Sequence, residues 1–199
     1  MANFFWLPYY DKTWDTYLNL RTGVNPSAKI LPYSNGGHGY SGFTNGNWAA
    51  LAAGDHLQIA THGRKYSTQN VAWACPAGMI TWTPQQMANV LQGFVGAKSI
   101  NYELLACFGA NSWGFASSFA EKLAGEMTKA GLKGTLSALR GATNIGLGQG
   151  RQTGDSRFTT GLKMFRIQMP AALGGRVLKE GGTDPNGAKT ADSVVTWDL

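Results

Sequence analysis

Between residues 55 and 139 short apolar runs take turns with longer amphipathic stretches. The runs Leu57–Thr61, Ile100–Ala106 and Thr135–Leu139 have the length and residue types of buried strands. Between the first two, Thr83-Pro84-Gln85-Gln86 supplies a threonine cap, a proline at the first helical position and a glutamine placed to close a capping box. Met87, Val90, Leu91 and Phe94 follow at helical spacing, which predicts one face packed on a sheet, and Gly96 closes the helix. Phe115, Phe119, Leu123 and Met127 recur every four residues and predict a second helix, ended by Gly131 with Lys129 where the helix dipole favours a cation. Strand, helix, strand, helix, strand with right-handed crossovers builds a parallel sheet covered by helices, an α/β fold. Ligand sites in such sheets lie beyond the carboxyl ends of the strands.

The flanking segments are less regular. Residues 3–33 alternate apolar and polar side chains and are broken by Pro8, Gly23, Pro26 and Pro32, which predicts short strands, some at an edge. Ser34 to Asn47 is glycine-rich loop, and Asn47 caps a short helix over Trp48–Ala53 that Gly54 ends. Residues 64–82 have no clear period and read as an excursion, a hairpin above the sheet. Gly146-Leu147-Gly148-Gln149-Gly150 raises a phosphate-binding loop, but residues 151–161 do not form the helix such a loop requires, so a hairpin or flexible loop is expected. Phe165, Ile167 and Met169 alternate with Arg166 and Gln168 as a half-exposed strand ending at Pro170. Residues 174–193 read as loop around Arg176-Val177-Leu178-Lys179, and Val194–Trp197 as a last edge strand. With no internal repeat or linker, a single domain over 1–199 is expected, strands within 1–45 and 160–199 extending the central sheet.

Composition narrows the class. Of 199 residues 43% are hydrophobic and 14% charged, which fits a globular chain with a lightly charged surface. The net charge, 17 − 11 = +6, favours acidic partners, but no basic run exceeds the Arg64-Lys65 pair, which argues against nucleic acid. The N-terminal residues lack the pattern of a signal peptide, and no apolar run approaches a membrane span. Two cysteines, Cys75 and Cys107, do not make a disulfide scaffold. A cytoplasmic setting, or delivery by a route independent of a signal peptide, is the expectation.

Two strand ends carry reactive side chains. Leu57–Thr61 leads into His62-Gly63, and Ile100–Ala106 leads into Cys107. A cysteine at the end of a buried strand acts more often as a small hydrophobe than as a nucleophile; a histidine at the equivalent end of a neighbouring strand reverses that reading. The thiolate is the attacking form, and a free thiol has a pKa near 8.5, so an imidazole and a nearby helix N-terminus both help to hold the charge. The backbone amides of Gly63 and Cys107 are candidates for an oxyanion hole, and His62 for the proton donor to a leaving amine. Cys75, followed by Pro76 in an irregular segment, reads as a structural or exposed thiol. His56 starts its strand and so belongs to the other end of the sheet, while His38, in the glycine-rich loop, is a candidate substrate contact. All three histidines precede Cys107, the reverse of the papain order.

A strand ending in His-Gly, a helix, and a strand ending in Ala-Cys together resemble the clan CD cysteine peptidases, the group of caspases, legumains and gingipains. The separation, 107 − 62 = 45 residues, lies near the roughly 50 of caspases. Leu104-Leu105-Ala106-Cys107-Phe108-Gly109-Ala110-Asn111-Ser112, followed by Phe119-Ala120-Glu121-Lys122-Leu123, is also similar to the self-processing cysteine protease domains of bacterial toxins. The likeness covers about residues 50–140, and the caspase pentapeptide around the cysteine is absent. It implies a caspase-like three-layer sandwich with a mostly parallel central sheet and helices on both faces. It further implies a His62/Cys107 dyad, no metal or other cofactor, and cleavage of a protein or peptide after a residue held in a deep first pocket. Arg140 would suit an acidic side chain in that pocket and Asp155 a basic one, though surface charge is the simpler reading of both. Toxin domains of this type are switched on by inositol phosphates, for which Lys163, Arg166, Arg176 and Lys179 are candidates by charge, and the toxin likeness suggests a bacterial effector or self-processing protease.

Two other classes stay open. A deamidase or acyltransferase uses the same dyad, with water or an amine as acceptor deciding the outcome. A non-catalytic binding module would use the seven tryptophans and the glycine-rich loops as a recognition face.

Overall fold

The computed structural model describes residues 1–8, 28–32, 46–61, 72–73, 81–106, 109–110, 117–139, 144–145, 152–153, 176–180 and 194–199. The strands are β1 (Asn3–Trp6), β2 (Lys29–Ile30), β3 (His56–Ala60), β4 (Ala72–Trp73), β5 (Thr81–Trp82), β6 (Ser99–Leu105), β7 (Lys133–Leu139), β8 (Asn144–Ile145), β9 (Gln152–Thr153), β10 (Arg176–Glu180) and β11 (Val194–Asp198). Two helices, α1 (Pro84–Val95) and α2 (Phe119–Lys129), separate β5 from β6 and β6 from β7. Seven strands form one sheet in the order β10-β11-β7-β6-β3-β1-β2. The run from β7 to β2 is parallel throughout, and β11 is antiparallel to both β7 and β10.

Alternation along the strands fixes the layers. Phe4 and Trp6 of β1, Leu57 and Ile59 of β3, Ile100, Tyr102 and Leu104 of β6, and Leu136 and Ala138 of β7 share one buried cluster. Met87, Leu91 and Val95 of α1 and Phe119, Leu123 and Met127 of α2 complete it, so both described helices cover the same face. Consecutive right-handed crossovers in one direction along a sheet require that arrangement. The other face mixes buried Phe5, Ala60 and Leu105 with polar Gln58, Asn101, Glu103 and Ser137. The helices expected on that second face are not among the described residues.

Local chemistry accounts for the elements. Thr83 and Gln86 close a reciprocal capping box on α1, Thr83 Oγ1 accepting from Gln86 N at 3.2 Å and Gln86 Oε1 from Thr83 N at 2.9 Å. Asp55 sets the register of β1: its carboxylate accepts from Ala2 N at 2.6 Å and Ala52 N at 2.9 Å, and Asn3 then pairs with His56. Burial pushes the Asp55 carboxyl up, but those two amides, with the amino terminus and Lys29, outweigh it and hold the group below the usual carboxylate range.

Several expectations are corrected. The segment after Asn47 is a single 3-10 turn, Trp48–Ala50, and not a helix reaching Ala53; the Asn47 side chain caps it, accepting from Ala50 N. Phe94 is 39% exposed and stacks on Trp48 at 4.5 Å, so the packed face of α1 runs through Met87, Ala88, Leu91 and Val95, with Val90 half-buried against the core as expected and Phe94 outside it. Arg176–Glu180 is a strand and not loop. β11 is not an edge strand, because β10 lies outside it. The excursion after β3 contains the antiparallel pair β4/β5, and the pair β8/β9 brackets Gly146–Gly150 as a hairpin would. The strand expected over Phe165–Met169 and the helical position of Phe115 lie outside the described residues.

Candidate functional site

The carboxyl rim of the parallel strands is where the sequence places its chemistry. β3 and β6 are immediate neighbours, parallel and in register from His56 opposite Asn101 to Ala60 opposite Leu105. The ladder continues one residue further, Thr61 N donating to the Leu105 carbonyl at 3.1 Å. Thr61 and Ala106, the last described residues of the two segments, are both buried. The next residue in sequence after each is His62 and Cys107.

Gly109 is bonded both to the end of β6 and to α2. Gly109 N donates to the Ala106 carbonyl at 3.2 Å, and the Gly109 carbonyl accepts from Ala120 N, in the first turn of α2, at 2.9 Å. Ser118, a buried residue, caps that turn, its Oγ accepting from Glu121 N at 3.1 Å. The amino end of α2 is therefore tied to the segment leaving β6. The start of α1 is at the same rim: Trp82, two residues before Pro84, packs edge-on against Trp6 at 6.4 Å, and Trp6 ends β1 opposite Ile59.

A row of polar side chains runs along the same two strands, from His56 at the start of β3 to Glu103 past the middle of β6. Glu103 Oε2 accepts from Gln58 Nε2 at 2.9 Å, and His56 Nε2 lies 3.3 Å from the same oxygen. Asn101 Oδ1 accepts from Thr135 Oγ1 at 3.2 Å, and Asn101 Nδ2 donates to the Gly54 carbonyl at 3.1 Å, extending the polar row to β7. These contacts cross-link β3, β6 and β7 by side chains as well as by the ladder, which stiffens the strands that end at the rim.

His62, Gly63, Cys107, His38, Arg140 and Asp155 all lie outside the described residues, as do Cys75, Lys163 and Arg166. Arg176 and Lys179 fall on β10, at the far edge of the sheet from β3. His56 starts β3, at the end away from the rim. Among the described residues no group of three or more His, Cys, Asp or Glu is placed to hold a metal ion, and no helix is long and apolar enough to cross a membrane. The sequence reading missed three residues. Ser118 was signalled by the Ser-x-x-Glu pattern with Glu121, and Glu103 by being the one charge in an apolar strand. Gly109 stood in the sequence as the glycine that follows the apolar run and Cys107, but its contacts with Ala106 and Ala120 were not foreseen.

Compared with known proteins, the chain matches no family model and no curated protein.

Proposed function

We propose that the chain is a cysteine endopeptidase of the clan CD kind, with Cys107 as nucleophile and His62 as its proton-transfer partner. One observation carries the reading: β3 and β6 are adjacent and parallel, and Thr61 and Ala106, the residues before His62 and Cys107, end them at one rim. The mostly parallel sheet, with α1 and α2 covering one face, agrees with the coarse architecture that the resemblance implies.

In this reading the Cys107 thiolate attacks the scissile carbonyl carbon, and the carbonyl oxygen takes the negative charge. The amides of Gly63 and Cys107 donate to that oxygen. His62 gives a proton to the amide nitrogen as the carbon–nitrogen bond breaks, releasing an amine and leaving a thioester. Water, deprotonated by the now neutral His62, attacks the thioester carbonyl and frees the acid and the thiolate. Charge near the first pocket is assigned to Arg140 or Asp155 and a further substrate contact to His38. Control by an inositol phosphate on a basic surface belongs to the same proposal.

The test is incubation of the protein, beside Cys107→Ala and His62→Ala, with a peptide library read by mass. The proposal expects chain cleavage, lost by at least about a hundredfold in either variant, because each removes a group that acts in the transition state. A one-dalton gain at glutamine without cleavage would move the assignment to a deamidase. Cleavage unchanged in Cys107→Ala would end it.

A further inference from the structure

The two helices on the covered face of the sheet differ in charge. α2 carries Glu121, Lys122, Glu126 and Lys129 in eleven residues, whereas α1 carries no charged residue in twelve. The neutrality extends beyond the helix: residues 46–54 and 81–97, which Trp48 and Phe94 bring into contact, contain no charge at all. Phe94 is the exposed large apolar side chain of these two segments. It stands among small residues, with Gly93 and Ala97 exposed on its own segment and Ala49 and Ala50 exposed next to Trp48.

Gly93 is not explained by the fold around it. It lies inside α1, where glycine is less stable than alanine, and a Cβ on it would meet nothing within 4 Å among the described residues. A helical glycine with open space above it leaves the backbone bare for something that approaches from outside.

We propose that this face of α1 is a self-association surface: two copies of the chain meet about a two-fold axis beside Gly93, where the Phe94 ring of each packs on the small residues of the other. Charge selects a second copy as the occupant. At a two-fold axis each side chain faces its own equivalent, so a charged residue there would oppose a like charge; on a chain of net charge +6 this neutral patch is where two copies meet without that cost. An aromatic centre depleted of charge is also what protein interfaces share. Twelve helical residues span about 18 Å, a contact smaller than the roughly 800 Å² a side of a standard interface, so the association is weak and depends on concentration. Neither Cys107 nor His62 takes part, and the surface stands or falls apart from the peptidase reading.

Sedimentation equilibrium of the full chain, loaded across the range of weak association from about 1 to 300 μM, measures it. The parent should pass from monomer to dimer within that range. Gly93→Lys sets like charges face to face and Phe94→Lys removes the ring, so each should weaken dimerisation at least about tenfold. Lys129→Ala, an exposed change on α2, should dimerise as the parent does. Diluted to the monomer, Gly93→Lys should melt above the parent, because it replaces a helical glycine and meets no neighbour. A lower melting temperature would show that Gly93 serves its own chain, and would overturn the proposal. A parent that stays monomeric at every loading overturns it too, as does a dimer that both lysine variants leave intact. Where a monomeric parent answers maltoheptaose with a change of tryptophan fluorescence that Phe94→Lys abolishes, it is overturned in favour of a neutral carbohydrate. Should Phe94→Lys fail to fold by circular dichroism, Gly93→Lys decides alone.

Discussion

Gly134 of β7 packs so closely on Ile100 of β6 that a Cβ on Gly134 would fall 1.9 Å from the Ile100 carbonyl oxygen. Its φ of 113° is also one that residues with side chains rarely adopt. Both facts predict that Gly134→Ala destabilises the fold by about 2–5 kcal/mol, through overpacking and backbone strain together. Urea denaturation measures this, and a loss under about 1 kcal/mol would show that the two strands do not meet this way.

The register of β1 depends on the ionised form of Asp55. Its pKa is lowered in the fold, so the unfolded chain takes up the proton first as pH falls. The contribution is present above the ordinary aspartate value and is lost as pH drops through the lower, folded one. Stability followed by urea from pH 6 to pH 2 should therefore fall below about pH 4. Asp55→Asn should be less stable at pH 7 by about 1–3 kcal/mol and show a flatter acid limb.

Leu91 and Phe94 separate the two faces of α1. Leu91 is fully buried, and Leu91→Ala is expected to cost about 2–5 kcal/mol. Phe94 is 39% exposed and stacks on Trp48, so Phe94→Ala should cost less, about 1 kcal/mol. Equal losses in thermal melts of the two variants would contradict the observed orientation of the helix.

Tyr102 is buried in the core with no partner for its hydroxyl among the described residues, and burial pushes its phenol up. Removing an unpaired buried hydroxyl relieves its desolvation cost, so Tyr102→Phe should leave stability unchanged or raise it by up to about 1 kcal/mol. A marked loss would reveal a hydrogen bond from the phenol.

Periodicity made the central fold legible. The helix from Pro84 carried every start signal in four residues, and the apolar runs near 57, 100 and 135 returned as neighbouring parallel strands. Phe94 was misassigned because spacing alone cannot tell a residue on the buried stripe from one a quarter-turn away that finds a neighbour outside it, here Trp48. β10 was missed because Arg176-Val177-Leu178-Lys179-Glu180 has two adjacent apolar residues and no alternation, and its pairing with β11 is itself irregular between Val177 and Lys179. β11 was taken for an edge for the same reason: the strand outside it had not been seen. At the candidate site, the shared rim of β3 and β6 was legible from their order, whereas the closure by Gly109 depends on a contact between distant segments that composition does not encode.

The claim beneath the proposed chemistry is that residues 62 and 107 stand side by side where β3 and β6 end. Neighbouring strands lie about 4.8 Å apart, inside the Cα separation that a disulfide spans. His62→Cys in a Cys75→Ser background, oxidised under mild conditions and digested, measures this directly. A disulfide between position 62 and Cys107, formed within minutes and in high yield, is expected. Two free thiols after prolonged oxidation, with the fold intact by circular dichroism, would contradict it.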